Sequence, residues 1–300
     1  MAPRHPFRFG VVAAQAPSAD AWISSARHAE ELGFSTFSIP DTLGPTLAPM
    51  PALTAVAVAT RTIRVGTYVL ANDIRNPVLL AREAATLDFL SGGRLELGLG
   101  AGRPGIEADY RKLGIPLESG GVRVERLIEA VGIVKNLLSG QRMDVEGKHY
   151  QAAGADIFPR PVQQPHPPIL IAGAGRRMLT LAAREANIVA LGVLPNQGEA
   201  AYREKIDVLR EAAGDRFGQI ELNVNLSAVG DQVHPWMQRQ FGVTLEHMKE
   251  IGSPAALVGT PDEMCEQLEA RRERLGVSYV NCGADMMEAM APVVARLAGR

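Results

Sequence analysis

The sequence predicts an α/β protein, a (β/α)8 TIM barrel with insertions, organised as a single domain over residues 1–300. The first observation is a recurrence of short apolar, β-branched runs at 7–13, 36–39, 64–70, 95–99, 169–172, 188–191, 220–229 and 277–282. The second is that segments with helical spacing lie between them, at 19–32, 51–60, 78–90, 122–138, 178–186, 199–213, 261–275 and 287–297. Strict alternation of strand and helix implies a parallel sheet, and eight repeats imply closure into a barrel. The third is that Leu95-Glu-Leu-Gly-Leu-Gly-Ala-Gly102 and Ile169-Leu-Ile-Ala-Gly-Ala-Gly175 each end a strand-like run in closely spaced glycines. Backbone without Cβ can approach a phosphate or a flat ring closely, although glycines after buried strands also serve simply as turns.

Local signals mark the elements in order. The first helical run stops at Gly33, and the second strand leads into Ser38-Ile-Pro-Asp41. Asn76-Pro77 puts a capping side chain before a proline at the first helical position, where the missing N–H costs nothing. The run 122–138 ends at Gly140 and opens an interruption, 139–168, with a small hairpin around Glu146-Gly147 and a proline-rich approach to the fifth strand. The run 199–213 stops at Gly214. A second interruption, 230–259, contains helical spacing over 236–251 and reads as an insertion over the strand ends, either a lid or surface packing. Thr260-Pro-Asp-Glu263 is a capping box, and Gly276 ends the helix it starts.

Composition narrows the function classes. With 46% hydrophobic and 21% charged residues and a net charge of −2, the chain offers no field that would gather nucleic acid or anionic lipid. Residues 1–10 lack an apolar leader core and the apolar stretch 55–59 is too short to span a bilayer, so a cytoplasmic location is expected. Cys265 and Cys282 are seventeen positions apart and read as buried structural thiols without a disulfide. The six histidines show no zinc spacing, and neither H-E-x-x-H nor G-x-S-x-G occurs, so no metal site is expected.

In a barrel, ligands sit where strands end. Gly100, Ala101, Gly102 and Arg103 begin a G-x-G-x-x-G pattern, but Pro104 interrupts it, no helical pattern starts there, and Glu125 lies inside a helix rather than after a second strand. Rossmann-type nicotinamide binding is therefore rejected, while contact with another ligand stays open. Gly173, Ala174, Gly175, Arg176 and Arg177 fit a phosphate better, since strand, glycines and helix follow in order and two arginines open the helix. The alternative is two solvated arginines. Asp41, at a strand end, is the candidate for proton transfer, its alternative being an Asx-type turn.

Residues 75–81 (Arg-Asn-Pro-Val-Leu-Leu-Ala), 87–102 (Leu-Asp-Phe-Leu-Ser-Gly-Gly-Arg-Leu-Glu-Leu-Gly-Leu-Gly-Ala-Gly), 122–126 (Val-Arg-Val-Glu-Arg), 168–175 and 257–262 carry a resemblance. Through them the chain resembles the bacterial luciferase-like flavin and deazaflavin oxidoreductases nearly end to end. The resemblance implies a luciferase-like barrel, commonly dimeric, that binds reduced FMN or the deazaflavin coenzyme F420 at its strand ends. It implies a phosphate on the 173–176 loop and a ring resting against a non-proline cis peptide at Tyr68-Val69. The chain is more similar to the F420-dependent branch, with two departures: Thr42 stands where that branch commonly has His after the Asp, and Arg103 where Trp often follows the glycines. A threonine cannot act as acid or base near neutral pH. The expected function is hydride transfer between F420 and a small organic substrate, with Asp41 at the reacting end and Arg103 and Glu107 shaping the pocket. The alternatives are an FMN-dependent monooxygenase using dioxygen and a non-catalytic ligand-binding barrel. The Ala- and Leu-rich runs 51–60 and 78–90 exceed what one core-facing stripe needs, so a homodimer is expected.

Overall fold

The structure, a computed structural model, describes residues 5–103 and 105–300. The readings made on residues 1–4 and on Pro104 lie outside the described residues. Eight strands build the main sheet: β1 (Arg8–Val12), β2 (Thr36–Ile39), β3 (Arg64–Thr67), β4 (Leu95–Gly100), β5 (Ile169–Gly173), β6 (Ile188–Leu191), β7 (Glu221–Asn225) and β8 (Val277–Gly283). Their order is β3-β2-β1-β8-β7-β6-β5-β4, a further β3–β4 pairing joins the ends, and the two-residue strand Leu70–Ala71 lies beside β4. This is the connectivity of a (β/α)8 barrel.

The helices are α1 (Ala19–Glu31), α2 (Pro49–Ala59), α3 (Pro77–Ser91), α4 (Glu107–Leu113), α5 (Gly120–Leu138), α6 (Arg176–Glu185), α7 (Glu199–Ala213), α8 (Pro235–Phe241), α9 (Leu245–Glu250), α10 (Pro261–Leu275) and α11 (Met287–Leu297). Among the described residues none is long and apolar enough to cross a membrane. The chain divides into two compact units, one holding the N-terminal segment to Ala13, Ser25–Phe37 and Ala172–Arg300, the other Ala14–Ser24 and Ser38–Ile171. The divisions fall just after β1 and inside α1, β2 and β5.

In the first unit, β8 lies between β1 and β7, with Gly10 and Asn225 both in register with Asn281. Phe7, just before β1, and Phe9 and Val11 on it alternate and are fully buried, while Arg8 on the opposite face pairs with Glu221 at 2.9 Å and lies over the Tyr279 ring. In the second unit, β4 pairs with β3 and with the start of β5. Arg64 binds Glu96 at 2.7 Å, and Arg94 donates to the carbonyls of Ile63 and Ala57, tying the loop after α2 to β4. Asn76 caps α3 by accepting from Val78 and Leu79, with Pro77 at the first position, and Gly92 ends the helix in the left-handed region.

Several element limits differ from those the sequence predicts. The run 64–70 stops at Thr67 and resumes as Leu70–Ala71, separated by a cis Tyr68–Val69 peptide. The run 220–229 ends at Asn225; Ala228–Val229 instead pairs with Gln232–Val233 and Ala256–Leu257 in a separate small sheet. The helical stretch 236–251 is two helices, α8 and α9, interrupted at Gly242, where φ is +61°. The predicted hairpin is present as Met143–Glu146 against Gln151–Ala155. The capping box at Thr260 and Glu263 is complete in both directions. Cys265 and Cys282 are both buried free thiols.

Candidate functional site

In the second unit the ends of β3 and β4 are held very close. Thr67 Oγ1 donates to the Gly98 carbonyl at 2.9 Å and accepts from the Gly98 N–H at 2.8 Å. A Cβ on Gly98 would overlap the Thr67 carbonyl oxygen and lie 2.9 Å from Val69 Cγ1, so only glycine allows this approach. Tyr68 N–H donates to the Ile39 carbonyl at 2.8 Å, anchoring the cis Tyr68–Val69 segment to β2.

Asp41 follows β2, its side chain only 4% exposed. It accepts from the Ala71 N–H at 2.9 Å, and the Arg75 guanidinium forks onto both carboxylate oxygens, with Nη2 3.1 Å from Oδ1. The fork ties the chain after β2 to the chain after Leu70–Ala71. Thr42 Oγ1 shares a hydrogen with Thr46 Oγ1 at 2.8 Å.

A second polar group surrounds the end of β4. Gly100 ends the strand, Ala101 follows, and Gly102 has φ +101°. A Cβ on Gly102 would overlap Nη1 of Arg123, whose Nε and Nη1 are buried with no hydrogen-bond partner among the described residues. Tyr110 donates to Asp73 Oδ2 at 2.8 Å, and Arg126 pairs with the same oxygen at 3.3 Å. Burial, and after it the Asp73 carboxylate, push the Tyr110 phenol up to about 12, with Arg123 opposing. Asn72 donates to Tyr150 Oη at 3.1 Å, and burial raises that phenol as well. Arg103 binds Asp109 at 3.0 Å on α4, and Glu107 is exposed in the first turn of that helix. The sequence reading placed no helix after this glycine loop; α4 begins two residues past Gly105, in seven residues that are too few to show a period.

The loop after β5 lies in the first unit. Gly173 accepts from the Gly192 N–H at 3.0 Å, and a Cβ there would come 2.9 Å from Met178 Cβ. Gly175 is the N-cap of α6, provides no side-chain cap, and has nothing within 4 Å of where a Cβ would be. The first amides of α6 therefore have no side-chain cap at the positive end of the helix. Arg176 and Arg177 are exposed there, and the Arg176–Glu211 pair at 3.6 Å is between side chains 71% and 75% exposed, too solvated to account for the arginine.

The structure thus gathers Asp41, Tyr68, Val69, Gly100, Ala101, Gly102, Arg103 and Glu107 in one unit and Gly173, Ala174, Gly175, Arg176 and Arg177 in the other. Sequence reasoning missed Arg75, Arg123, Tyr110, Asp73 and Arg126. A signal existed for two of them: Arg123 and Arg126 are three apart in a helical run, which puts them on one face. Nothing in sequence spacing links Arg75 to Asp41.

Eight parallel strands alternating with helices, with glycines at the ends of β4 and β5, define a (β/α)8 barrel. The chain belongs to the luciferase-like monooxygenase family, whose profile matches residues 5–232. It is 34% identical over 290 residues to an F420-dependent glucose-6-phosphate dehydrogenase of Nakamurella multipartita, covering 89% of this chain and 82% of that protein. It is also 34% identical over 164 residues to the protein of the same name from Beutenbergia cavernae, where 52% of this chain meets 47% of that one; the chain spans about half the length of that relative. The coenzyme F420-dependent tetrahydromethanopterin reductase of Methanopyrus kandleri has the same fold, with a TM-score of 0.80 at 21% identity over 98% of this chain and 99% of that one.

Proposed function

We propose that the protein is an oxidoreductase that transfers a hydride between coenzyme F420 and a small organic substrate. The observation that carries an anionic cofactor is Arg123, whose buried Nε and Nη1 have no partner among the described residues and whose guanidinium lies where a Cβ on Gly102 would be. The curated relatives favour F420 over FMN, both being named F420-dependent. When bound, the deazaflavin supplies the hydride chemistry at its C5, and the protein supplies orientation and electrostatics.

On this reading the amides of Gly173, Ala174 and Gly175 and the side chains of Arg176 and Arg177 hold the cofactor phosphate. Gly100, Ala101, Gly102 and Arg103 line the cofactor with Arg123, Glu107 shapes the entrance, and Tyr68-Val69 supports the ring. Asp41 remains at the reacting end, but its oxygens are occupied by Arg75 and Ala71, which suits it to hold a fixed dipole near the ring better than to carry a proton in and out. The substrate is a small molecule, the enzyme is cytoplasmic, and the near-neutral charge supports neither nucleic acid nor anionic membrane as a partner.

The deciding experiment titrates the purified protein with F420 and with FMN, oxidised and reduced, by absorbance and fluorescence. Saturable binding of F420 alone is expected, and Arg123→Leu and Gly173→Asp should each weaken it about ten-fold or more. Preference for reduced FMN with oxygen uptake would overturn the reading in favour of a monooxygenase. Binding of neither cofactor would leave a barrel without this chemistry.

A further inference from the structure

One face of β8 carries Tyr279, Asn281 and Gly283 in alternation. Asn281 is fully buried, yet neither its Oδ1 nor its Nδ2 has a hydrogen-bond partner among the described residues. Its in-register neighbours are Gly10 on β1 and Asn225 on β7, and the Oδ1 of Asn225 is also buried and unpartnered. A Cβ on Gly10 would overlap Asn281 Oδ1, so the glycine leaves the amide its room. Three polar atoms on two adjacent residues are thus withdrawn from water and unpaired, an arrangement proteins avoid unless something else supplies the bonds.

Two residues further along β8, about 6.6 Å at strand rise, a histidine covers the strand. A Cβ on Gly283 would sit 2.6 Å from His234 Cδ2 and 3.2 Å from its Nε2. His234 Nδ1 accepts from the Trp236 N–H at 3.2 Å, capping α8, so in the neutral ring the hydrogen is on Nε2. The nearest carboxylate, Asp285 Oδ1, is 3.9 Å from Nε2, beyond hydrogen-bond reach. His234 therefore offers a donor whose tautomer is set by the backbone.

We propose that Asn281, Asn225 and His234 form the substrate-oxygen site of this enzyme and that it takes a small neutral alcohol or the matching carbonyl compound rather than a phosphorylated one. The assignment rests on the oxidoreductase reading above. The amide of Asn281 can donate and accept, Asn225 Oδ1 accepts, and His234 Nε2–H donates, which suits hydroxyl and carbonyl oxygens. Charge argues for a neutral ligand. The arginine on this face, Arg8, is tied to Glu221 at 2.9 Å and covers the Tyr279 ring at 4.1 Å, while Asp285 adds a negative charge beside His234. A phosphate here would meet a carboxylate and no unpaired cation of this cluster.

The test is saturation-transfer NMR with 2-propanol, glycerol and glucose 6-phosphate as probes, on the protein with and without bound F420. The variants are Asn281→Leu, which keeps the number and branching of the side-chain heavy atoms without the polar groups, and His234→Asn, which keeps an N-cap but shortens the reach. Transfer to both neutral probes, falling about five-fold or more in each variant as a hydrogen bond is lost, with glucose 6-phosphate the weakest, is the expected result. Equal transfer in wild type and both variants, no transfer to either neutral probe in either state, or a stronger signal from glucose 6-phosphate would overturn it. If Asn281→Leu does not fold, His234→Asn alone decides. F420 fluorescence titration of the same proteins separates the two readings: loss of F420 binding in wild type refutes the oxidoreductase, whereas the response of the probes to the variants judges this site by itself.

Discussion

Asp41 shows how one residue can keep its place in an argument and change its work. A carboxylate at a strand end can carry a proton or hold a loop, and the distinction lies in what occupies its oxygens. Here Arg75 and the Ala71 amide take both, on a side chain 4% exposed. Replacing Arg75 with Met leaves a buried carboxylate with one backbone donor; a loss of about 3 kcal/mol in urea unfolding is expected, with Asp41→Asn in the Met background recovering part of it. Tyr110 makes a pH-dependent prediction. Its phenol ionises at about 12 in the folded protein, from burial first and Asp73 second, against 10.0 ordinarily. The unfolded chain gives up this proton more readily, so the stability it contributes is full below pH 10 and is lost as pH rises towards 12. Tyr110→Phe should flatten that decline in alkaline unfolding curves; an unchanged slope would locate it elsewhere.

At the scale of elements, caps and stops are local chemistry, and the sequence shows them directly: Asn76-Pro77, the box at Thr260 and Glu263, and Gly276 at the end of α10 all do in the structure what their residue types predict. Element ends set by a partner are different. Arg64-Val-Gly-Thr-Tyr-Val-Leu70 has strand character throughout, but the ladder is interrupted where the Tyr68–Val69 segment leaves it. Residues 226–229 leave β7 because Ala228 and Val229 find partners in the nearby Gln232–Val233 and in Ala256–Leu257, the latter at a sequence distance no local window reaches. Close approach is equally non-local: Gly98 reads as a glycine before a turn, whereas the structure makes it the point where β4 touches the Thr67 carbonyl. Gly98→Ala should therefore destabilise by about 2 kcal/mol or more through overpacking, far beyond the usual effect of adding a methyl group in a strand. A thermal midpoint equal to wild type would contradict the backbone approach.

For the whole molecule, the expected homodimer is a proposal supported by the apolar side chains that α2 and α3 leave exposed, Val58 at 68%, Leu79 at 59% and Phe89 at 57%. Light scattering at micromolar concentration should give twice the 32.1 kDa chain mass, and Leu79→Glu with Phe89→Lys should reduce it to one; a monomeric wild type would remove the proposal. The sequence by itself determined the alternation of strand and helix, hence the barrel, and the glycine-ended strands where a ligand would be held, because periodicity, capping and missing side chains act within a few residues. Only the tertiary structure decided which side chains meet within each unit: Arg75 against Asp41 and Arg123 against Gly102 in one, and Asn281 between Gly10 and Asn225 in the other. Those pairings come from the register of strands and the seating of helices far apart in the chain, and a buried polar atom without a partner can be recognised only after every neighbour has been placed.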